Sequence, residues 1–312
     1  MKKRFLSFFL LALVGMAGNM TAMAQTPEPS GQWKFDDSSD LMAATVGNVT
    51  LSPVVLGSAS VSEATVSEAG ITVAEGPDGP AILVPATSGL KVTRAEGASA
   101  STNFSFMIDL KVLNAYGYDG LFQTNLNNSN DGDLFISKGQ IGAGAMGGYF
   151  GCIWGDFWYR VVFTNSEGSL KVYVNGDKVL EYATTETRWE IDPSFYLLAD
   201  EDGEKQDTYV SEVAFWETPL TDGEVKELGR ADKLNWITDL SKIKDGDQFF
   251  ILSDRAKFNG STSGKAKAMS TIQASYSVNW GEQYVYWGDL DKEGDGYVWT
   301  AEKVGDQFAF LN

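Results

Sequence analysis

SFYLLADEDGEKQDTYVSEVAFWETPLTDGEVKELG, residues 194–229, carries four structural signals in unbroken order. Tyr196, Leu197 and Leu198 form an apolar run that stops at Asp200-Glu201-Asp202-Gly203-Glu204, an acidic turn with glycine at the bend. Tyr209, Ser211, Val213 and Phe215 then alternate with Val210, Glu212, Ala214 and Trp216. Apolar residues on both faces of this run predict a strand buried on both sides, as in a sandwich. After Pro219, the Thr221 side chain can accept from the backbone of Glu224 while the Glu224 side chain reaches back, the reciprocal pattern of a capping box. Leu220 and Val225 stand at staple spacing, and Gly229 supplies the stop. The segment therefore reads strand, acidic turn, strand, short helix.

Upstream, the pattern is a succession of strands. Phe104, Phe106, Ile108, Leu110 and Val112 alternate with Ser105, Met107, Asp109 and Lys111, which predicts one face in a core and one largely in water. The chain turns at Tyr116-Gly117-Tyr118-Asp119-Gly120 into a strand over 121–124, and the 127–133 loop leads to another over 134–137. Strands over 157–164 and 170–174 follow. Asn175-Gly176 then joins 170–174 to 178–182, a strong hairpin signal because both central residues of a type I′ turn need positive φ. Residues 32–35 form the first strand, and 49–56 and 81–85 read as strands, with a weaker one near 70–74. Many short strands with one helix indicate an antiparallel sandwich.

These motifs resemble the concanavalin A-like lectin/glucanase group, in its laminin G-like and pentraxin-like members. The order of acidic turn, Val213-Ala214-Phe215-Trp216 strand and Leu220-Thr221-Asp222-x-Glu224-Val225 helix is similar to the C-terminal end of that fold. Trp33-Lys34-Phe35-Asp36-Asp37 with Ala44-Thr45-Val46-Gly47, and 121–125 with 131–136, look like N-terminal modules of large secreted proteins of Gram-negative bacteria. The resemblance spans residues 31–230 and implies a jelly-roll β-sandwich with one short C-terminal helix. It also implies calcium at the acidic turn, carried over to Asp200, Asp202 and Glu204, and binding of a glycan or an extracellular glycoprotein. The glucanase relatives use an E-x-D-x-x-E strand. Here Glu190-Ile191-Asp192 is followed by Pro193 and no third carboxylate, so the catalytic pattern is absent and no enzyme activity is expected of this segment.

The first residues point to a compartment. Lys2-Lys3-Arg4 is a cationic n-region, residues 5–18 are apolar, and Ala22-Met23-Ala24 is an A-x-A cleavage site, together a secretory signal over 1–24. No later stretch approaches the roughly 20 apolar residues of a spanning helix, so no membrane insertion follows cleavage. Removing the signal takes the formal charge from −18 to −21, which argues against nucleic acid and anionic lipid as partners. Cys152 is the single cysteine, so no intrachain disulfide forms, and a chain with 43% apolar residues must be held by its core. There is no histidine. Catalysis would have to run on carboxylates, Tyr or Lys.

Several stretches admit a site and a plainer reading side by side. Asp200, Asp202 and Glu204 offer hard oxygen ligands for Ca²⁺, or form a solvated acidic hairpin. Asn127-Asn128-Ser129-Asn130-Asp131-Gly132-Asp133 offers similar ligands and reads better as a turn. Residues 289–296 imitate the start of an EF-hand loop, but Thr300 stands where the bidentate Glu belongs and the flanks read as strands. In the aromatic and glycine-rich stretch 147–160, Tyr149 and Trp154 are candidate sugar platforms, while Trp158 is assigned to the core. Cys152 reads as a packed apolar residue, since no histidine exists to activate it.

After Arg230 the pattern restarts. Asp245-Gly246-Asp247-Gln248-Phe249-Phe250-Ile251-Leu252 and the hairpin Trp299 to Phe308 resemble pieces of a ricin-type β-trefoil, which needs three repeats. The expected organisation is a signal peptide over 1–24, a sandwich over 25–232 and an incomplete trefoil-like module over 233–312, in a chain truncated from a longer protein. The expected function is a secreted, non-catalytic recognition segment for carbohydrate or extracellular matrix, acting as the targeting or adhesion segment of a larger extracellular protein and exported by the Sec route to the periplasm, cell surface or medium of a Gram-negative bacterium. Two alternatives stand beside it: an accessory part of a secreted glycoside hydrolase or metallophosphoesterase whose catalytic domain lies beyond Asn312, and a structural spacer without ligand.

Overall fold

The structure is a computed structural model that describes residues 25–57, 60–126, 132–232, 243–249, 267–270, 286–289, 298–304 and 307–311. The 1–24 signal, residues 127–131 and residues 290–297 of the EF-hand-like loop lie outside the described residues.

The first strands are β1 (Gly31–Trp33), β2 (Val46–Gly47), β3 (Thr50–Gly57), β4 (Ser60–Glu63), β5 (Thr72–Glu75), β6 (Pro80–Val84), β7 (Ser88–Thr93) and β8 (Asn103–Val112). After them come β9 (Asp119–Gln123), β10 (Asp133–Ser137), β11 (Gln140–Ala143), β12 (Gly148–Phe150) and β13 (Tyr159–Ser166). The set ends with β14 (Ser169–Val174), β15 (Asp177–Ala183), β16 (Ser194–Leu197) and β17 (Thr208–Trp216). One antiparallel sheet runs β15-β14-β13-β8-β17-β1-β2, with β6 and β5 beside β17; the other runs β12-β11-β10-β9-β16-β7-β3-β4. The two sheets form a sandwich. Asn175 and Gly176 take φ of 53° and 82°, as the β14–β15 hairpin requires.

The sheets meet through aromatic rings. Phe104, Phe106, Ile108, Leu110 and Val112 of β8 all enter the core between them, with Phe163, Phe195 and Phe215. Phe122 of β9 sits among them, its ring centroid 4.9 Å from Phe106, 5.3 Å from Phe163, 5.9 Å from Phe195 and 6.0 Å from Phe104. Offset and tilted pairs of this kind add to the apolar burial itself.

The other face of β8 departs from the expectation of a water-facing side: Ser105, Met107 and Asp109 are buried too. The helix α1 (Asp222–Leu228) covers this side of the sheet. Leu220 and Val225 close a second apolar cluster with Met107, Val162, Tyr173, Ala214 and Trp216, and the Leu220 backbone N–H donates to Ser105 Oγ at 2.8 Å. That cover explains why β17 is apolar on both faces. A bulge between Val210 and Glu212 further lets both Val210 and Val213 enter the inter-sheet core.

The helix is fastened as its sequence indicates. Thr221 Oγ1 accepts from the Glu224 backbone at 3.3 Å, and Glu224 Oε2 accepts from the Thr221 backbone at 2.7 Å. Asp222 accepts from Lys171, the Tyr173 hydroxyl and Lys178 at 2.7, 2.8 and 3.1 Å, contacts that hold its carboxyl well below the usual range, Lys171 foremost. Replacing Thr221 with Ala should cost about 1 kcal/mol, a fall of about 2–4 °C in Tm for a domain of this size, measurable by thermal unfolding.

Beyond residue 243, β18 (Gln248–Phe249), β21 (Trp299–Val304) and β22 (Gln307–Leu311) form one small sheet. Strands β19 (Lys267–Ser270) and β20 (Tyr286–Asp289) form another. The hairpin of β21 and β22 falls where the sequence places it, and the flanks of the EF-hand-like loop are strands. These pieces do not by themselves make up a three-repeat trefoil. Among the described residues, no helix is long and apolar enough to cross a membrane.

Candidate functional site

The acidic turn between β16 and β17 is built around Asp200. Its Oδ2 accepts from the backbone N–H groups of Asp202 at 3.1 Å and Glu204 at 2.6 Å, which curls the turn over its own carboxylate. The turn lies directly on β9. The Glu204 carbonyl accepts from the Gly120 N–H at 2.8 Å, and a Cβ on Gly120 would stand 2.6 Å from the Ala199 carbonyl oxygen, so this close approach needs glycine. On the far side Lys205 and Asp119 form a fully buried ion pair at 3.1 Å. Asp119 also accepts from the Gln206 N–H and the Thr208 hydroxyl at 3.1 and 3.0 Å. The turn is thus pinned at both ends.

Asp200, Asp202 and Glu204 bring one carboxylate oxygen each to within 4.8 Å of one another. Burial pushes the Asp200 carboxyl up to about 6 against the pull of its backbone donors. Glu204 is raised by burial and then by the charges of Asp202 and Glu201. Gln123 of β9 is 1% exposed. Its Nε2 donates to Asp200 Oδ1 at 3.1 Å, while its own Oε1 and the buried Oε2 of Glu201 have no partner among the described residues. Unpaired buried acceptors are costly. Clustered carboxylates with orphaned oxygens beside them form a hard-oxygen donor set that fits Ca²⁺.

Aromatic rings flank the turn. Tyr149 of β12 stands across from Gly142 of β11, and Gly142 across from Phe135 of β10. Tyr118 lies edge-on to both rings, 6.0 Å from Phe135 and 6.1 Å from Tyr149, and is 41% exposed. Burial, then the neighbouring Tyr118, Glu204 and Asp133, raise the Tyr149 hydroxyl to about 12, which places it in the field of the acidic turn. Trp154 is a correction to the sequence reading: at 4% exposure it belongs to the inter-sheet core and offers no face to a sugar. Trp158 is corrected the other way. It is half-buried with Lys111 Nζ 5.7 Å from its ring, while Phe157 and Tyr159 enter the core. Cys152 is half-buried and packs against that core.

Beside the turn, Thr124, Asn125, Thr187, Arg188, Glu190 and Asp192 line a polar cleft of about 200 Å³. Asp133 joins cleft and turn. It pairs across β10–β9 with Gln123, and Arg188 Nη2 lies 3.5 Å from its Oδ2. Sequence reasoning missed Tyr118, Gln123, Glu201 and Arg188 as members of the site. Gln123 carried a usable signal, a lone amide directly after Leu121-Phe122 in a buried strand.

Residues 152–226, from before β13 through the acidic turn and into α1, match a laminin G-type family model described as the concanavalin A-like lectin/glucanases superfamily. Among curated proteins no sequence matches the chain. Among solved structures it is similar to domain 4 of AbnA, an extracellular arabinanase from Geobacillus stearothermophilus, in complex with arabinotriose. The TM-score is 0.50 at 16% identity, over 66% of this chain and 100% of that one. The binding domain of Paraclostridial Mosquitocidal Protein 1 also aligns, at TM-score 0.42 and 13% identity over 84% of this chain and 73% of that one. Trypanosoma rangeli sialidase aligns at TM-score 0.43 and 15% identity, over 64% of this chain and 32% of that one. Over residues 152–226, which hold the acidic turn and most of the covering helix, the sandwich is similar to the concanavalin A-like lectin/glucanases superfamily.

Proposed function

We propose that this chain is a secreted, non-catalytic recognition segment whose sandwich binds carbohydrate next to the acidic turn, with calcium as the ion held there. The observation that carries the reading is the placement of the exposed Tyr118 ring, with Tyr149, against a turn whose neighbours Gln123 and Glu201 present buried oxygens without partners. An exposed tyrosine face can pack on a sugar ring while its hydroxyl hydrogen-bonds. Tyr149, with its hydroxyl held protonated, is a donor to a sugar oxygen. Asp200, Asp202 and Glu204, with Gln123 and Glu201 beside them, would hold the ion, and when bound it supplies coordination sites for sugar hydroxyls.

Other parts of the proposal rest on the sequence. The 1–24 signal supports secretion, and the missing histidine and missing carboxylate triplet support a non-catalytic role. Domain 4 of the arabinanase shares the fold and was determined with arabinotriose, which is compatible with a sugar ligand here. The second, trefoil-like module from residue 233 onward, within a larger extracellular protein, is part of the proposal on the sequence pattern of residues 245–252 and 299–308 alone.

Two measurements test this. Millimolar Ca²⁺ should raise the thermal midpoint of the chain starting at Gln25, by about 2.7 kcal/mol of added stability at a hundredfold excess over Kd, and Asp200→Asn should abolish the shift. An unchanged midpoint removes calcium from the proposal. A glycan array should then give saccharide ligands whose binding weakens in Tyr118→Ala. Broad panels without a single ligand would overturn the carbohydrate reading.

A further inference from the structure

We infer that the patch between the acidic turn and Tyr118 takes uncharged saccharides and rejects anionic ones such as uronates, sialosides and sulfated chains. This rests on the reading of the patch as a carbohydrate site and narrows its ligand class.

Charge is the first argument. The patch gathers the carboxylates of Asp133, Asp200, Glu201, Asp202 and Glu204, linked through the pairing of Asp133 with Gln123 and the bond from Gln123 to Asp200. Among the described residues, two cations lie nearby. Arg188 faces Asp133 at 3.5 Å, and Lys205 is fully buried against Asp119 and closed to a ligand. A bound divalent cation together with Arg188 offsets three of the five carboxylates, so the patch stays negative with its ion in place. Like charges brought together at a partly desolvated surface weigh against the wrong partner more than they help the right one.

Hydrogen-bond polarity is the second and independent argument. Gln123, 1% exposed, and Glu201 each leave a buried oxygen unpaired. Both atoms are acceptors and call for a donor or a cation. Sugar hydroxyls donate, whereas ionised carboxylate and sulfate groups offer acceptors only. Where the bound ion satisfies these oxygens they offer an anion nothing, and where a hydroxyl must satisfy them an anionic group adds charge without pairing either atom.

The test compares a neutral oligosaccharide with a counterpart differing by one carboxylate, by calorimetry on the chain from Gln25 with Ca²⁺ present, in about 20 mM and about 500 mM NaCl. At low salt the neutral sugar should bind at least about tenfold more tightly, and high salt should narrow that gap. Asp133→Asn, which removes one carboxylate from the patch, should raise the ratio of anionic to neutral affinity. Equal or tighter binding of the anionic sugar at low salt overturns the inference and leaves the carbohydrate reading standing. A gap indifferent to salt and to Asp133→Asn also overturns it, because the exclusion is then steric. Absence of binding by either sugar class across the panel overturns the carbohydrate reading and this inference with it.

Discussion

Replacing Arg160 with Leu should destabilise the sandwich by about 3–5 kcal/mol, because it leaves a buried carboxylate without its cation. Asp109 of β8 is 3% exposed. Arg160 holds it with two parallel bonds, Nε to Oδ1 at 2.7 Å and Nη2 to Oδ2 at 2.6 Å, reaches Glu212 at 3.5 Å and donates through Nη1 to the Leu228 carbonyl. One guanidinium therefore ties β8, β13, β17 and the end of α1 together. Burial still outweighs it. The Asp109 carboxyl is pushed up to about 6, above its value in an unfolded chain, so the native form takes up its proton first as pH falls. The contribution of Asp109 to stability is then fully present below its unfolded pKa and is lost as pH rises through about 6. Urea unfolding should show the penalty of Arg160→Leu shrinking from pH 7 to pH 5, where the orphaned carboxyl is protonated at little cost. Adding Asp109→Asn should recover part of the loss at pH 7. A penalty independent of pH and unrelieved by the second change would contradict this account.

A loss of similar size, about 3–5 kcal/mol, is expected for Phe122→Ala. Phe122 comes from one sheet and touches Phe106 and Phe163 of the other within 5.3 Å, so truncation opens a cavity where the layers are joined. The cavity cannot close by collapse, since the surrounding rings belong to strands fixed by ladders on both sides. A fall of about 10 °C in Tm with an unchanged denaturant slope is the expected reading. Phe122→Leu, which keeps most of the volume, should cost distinctly less.

The parts of the fold visible in the sequence are those whose signals are local. The alternation of β8, the Asn175-Gly176 turn and the Thr221 to Glu224 box each sit within ten residues and appear where they were read. Strands β7, β11 and β12 were not visible: Ser88–Thr93 contains Gly89 and Gln140–Ala143 contains Gly142, and these glycines make room for a neighbour 2.8 and 2.2 Å from where a Cβ would be. Packing partners far along the chain are invisible to periodicity, so the alternation of β8 alone predicts a wet outer face where α1 covers it. The site divides the same way. The acidic turn is contiguous and was legible, whereas Gln123 and Tyr118 join it only because β9 runs beneath it. An aromatic among glycines looks the same in sequence whether it faces solvent or core, and Trp154 faces the core.

The pairing of the first and last strands of the sandwich bears on how it would carry mechanical load. Gly31 lies opposite Phe215 and Trp33 opposite Val213, so the chain enters and leaves at the same end of one antiparallel ladder. Outside that ladder, Trp216 Nε1 still bonds the Pro27 carbonyl at 2.8 Å and the Thr26 N–H bonds Glu227 at 2.8 Å. Tension applied to the two ends would peel these contacts and then the ladder bonds one after another, as a zipper opens, instead of loading them together in shear. The sandwich should therefore yield at low force from its ends while its aromatic centre is still intact.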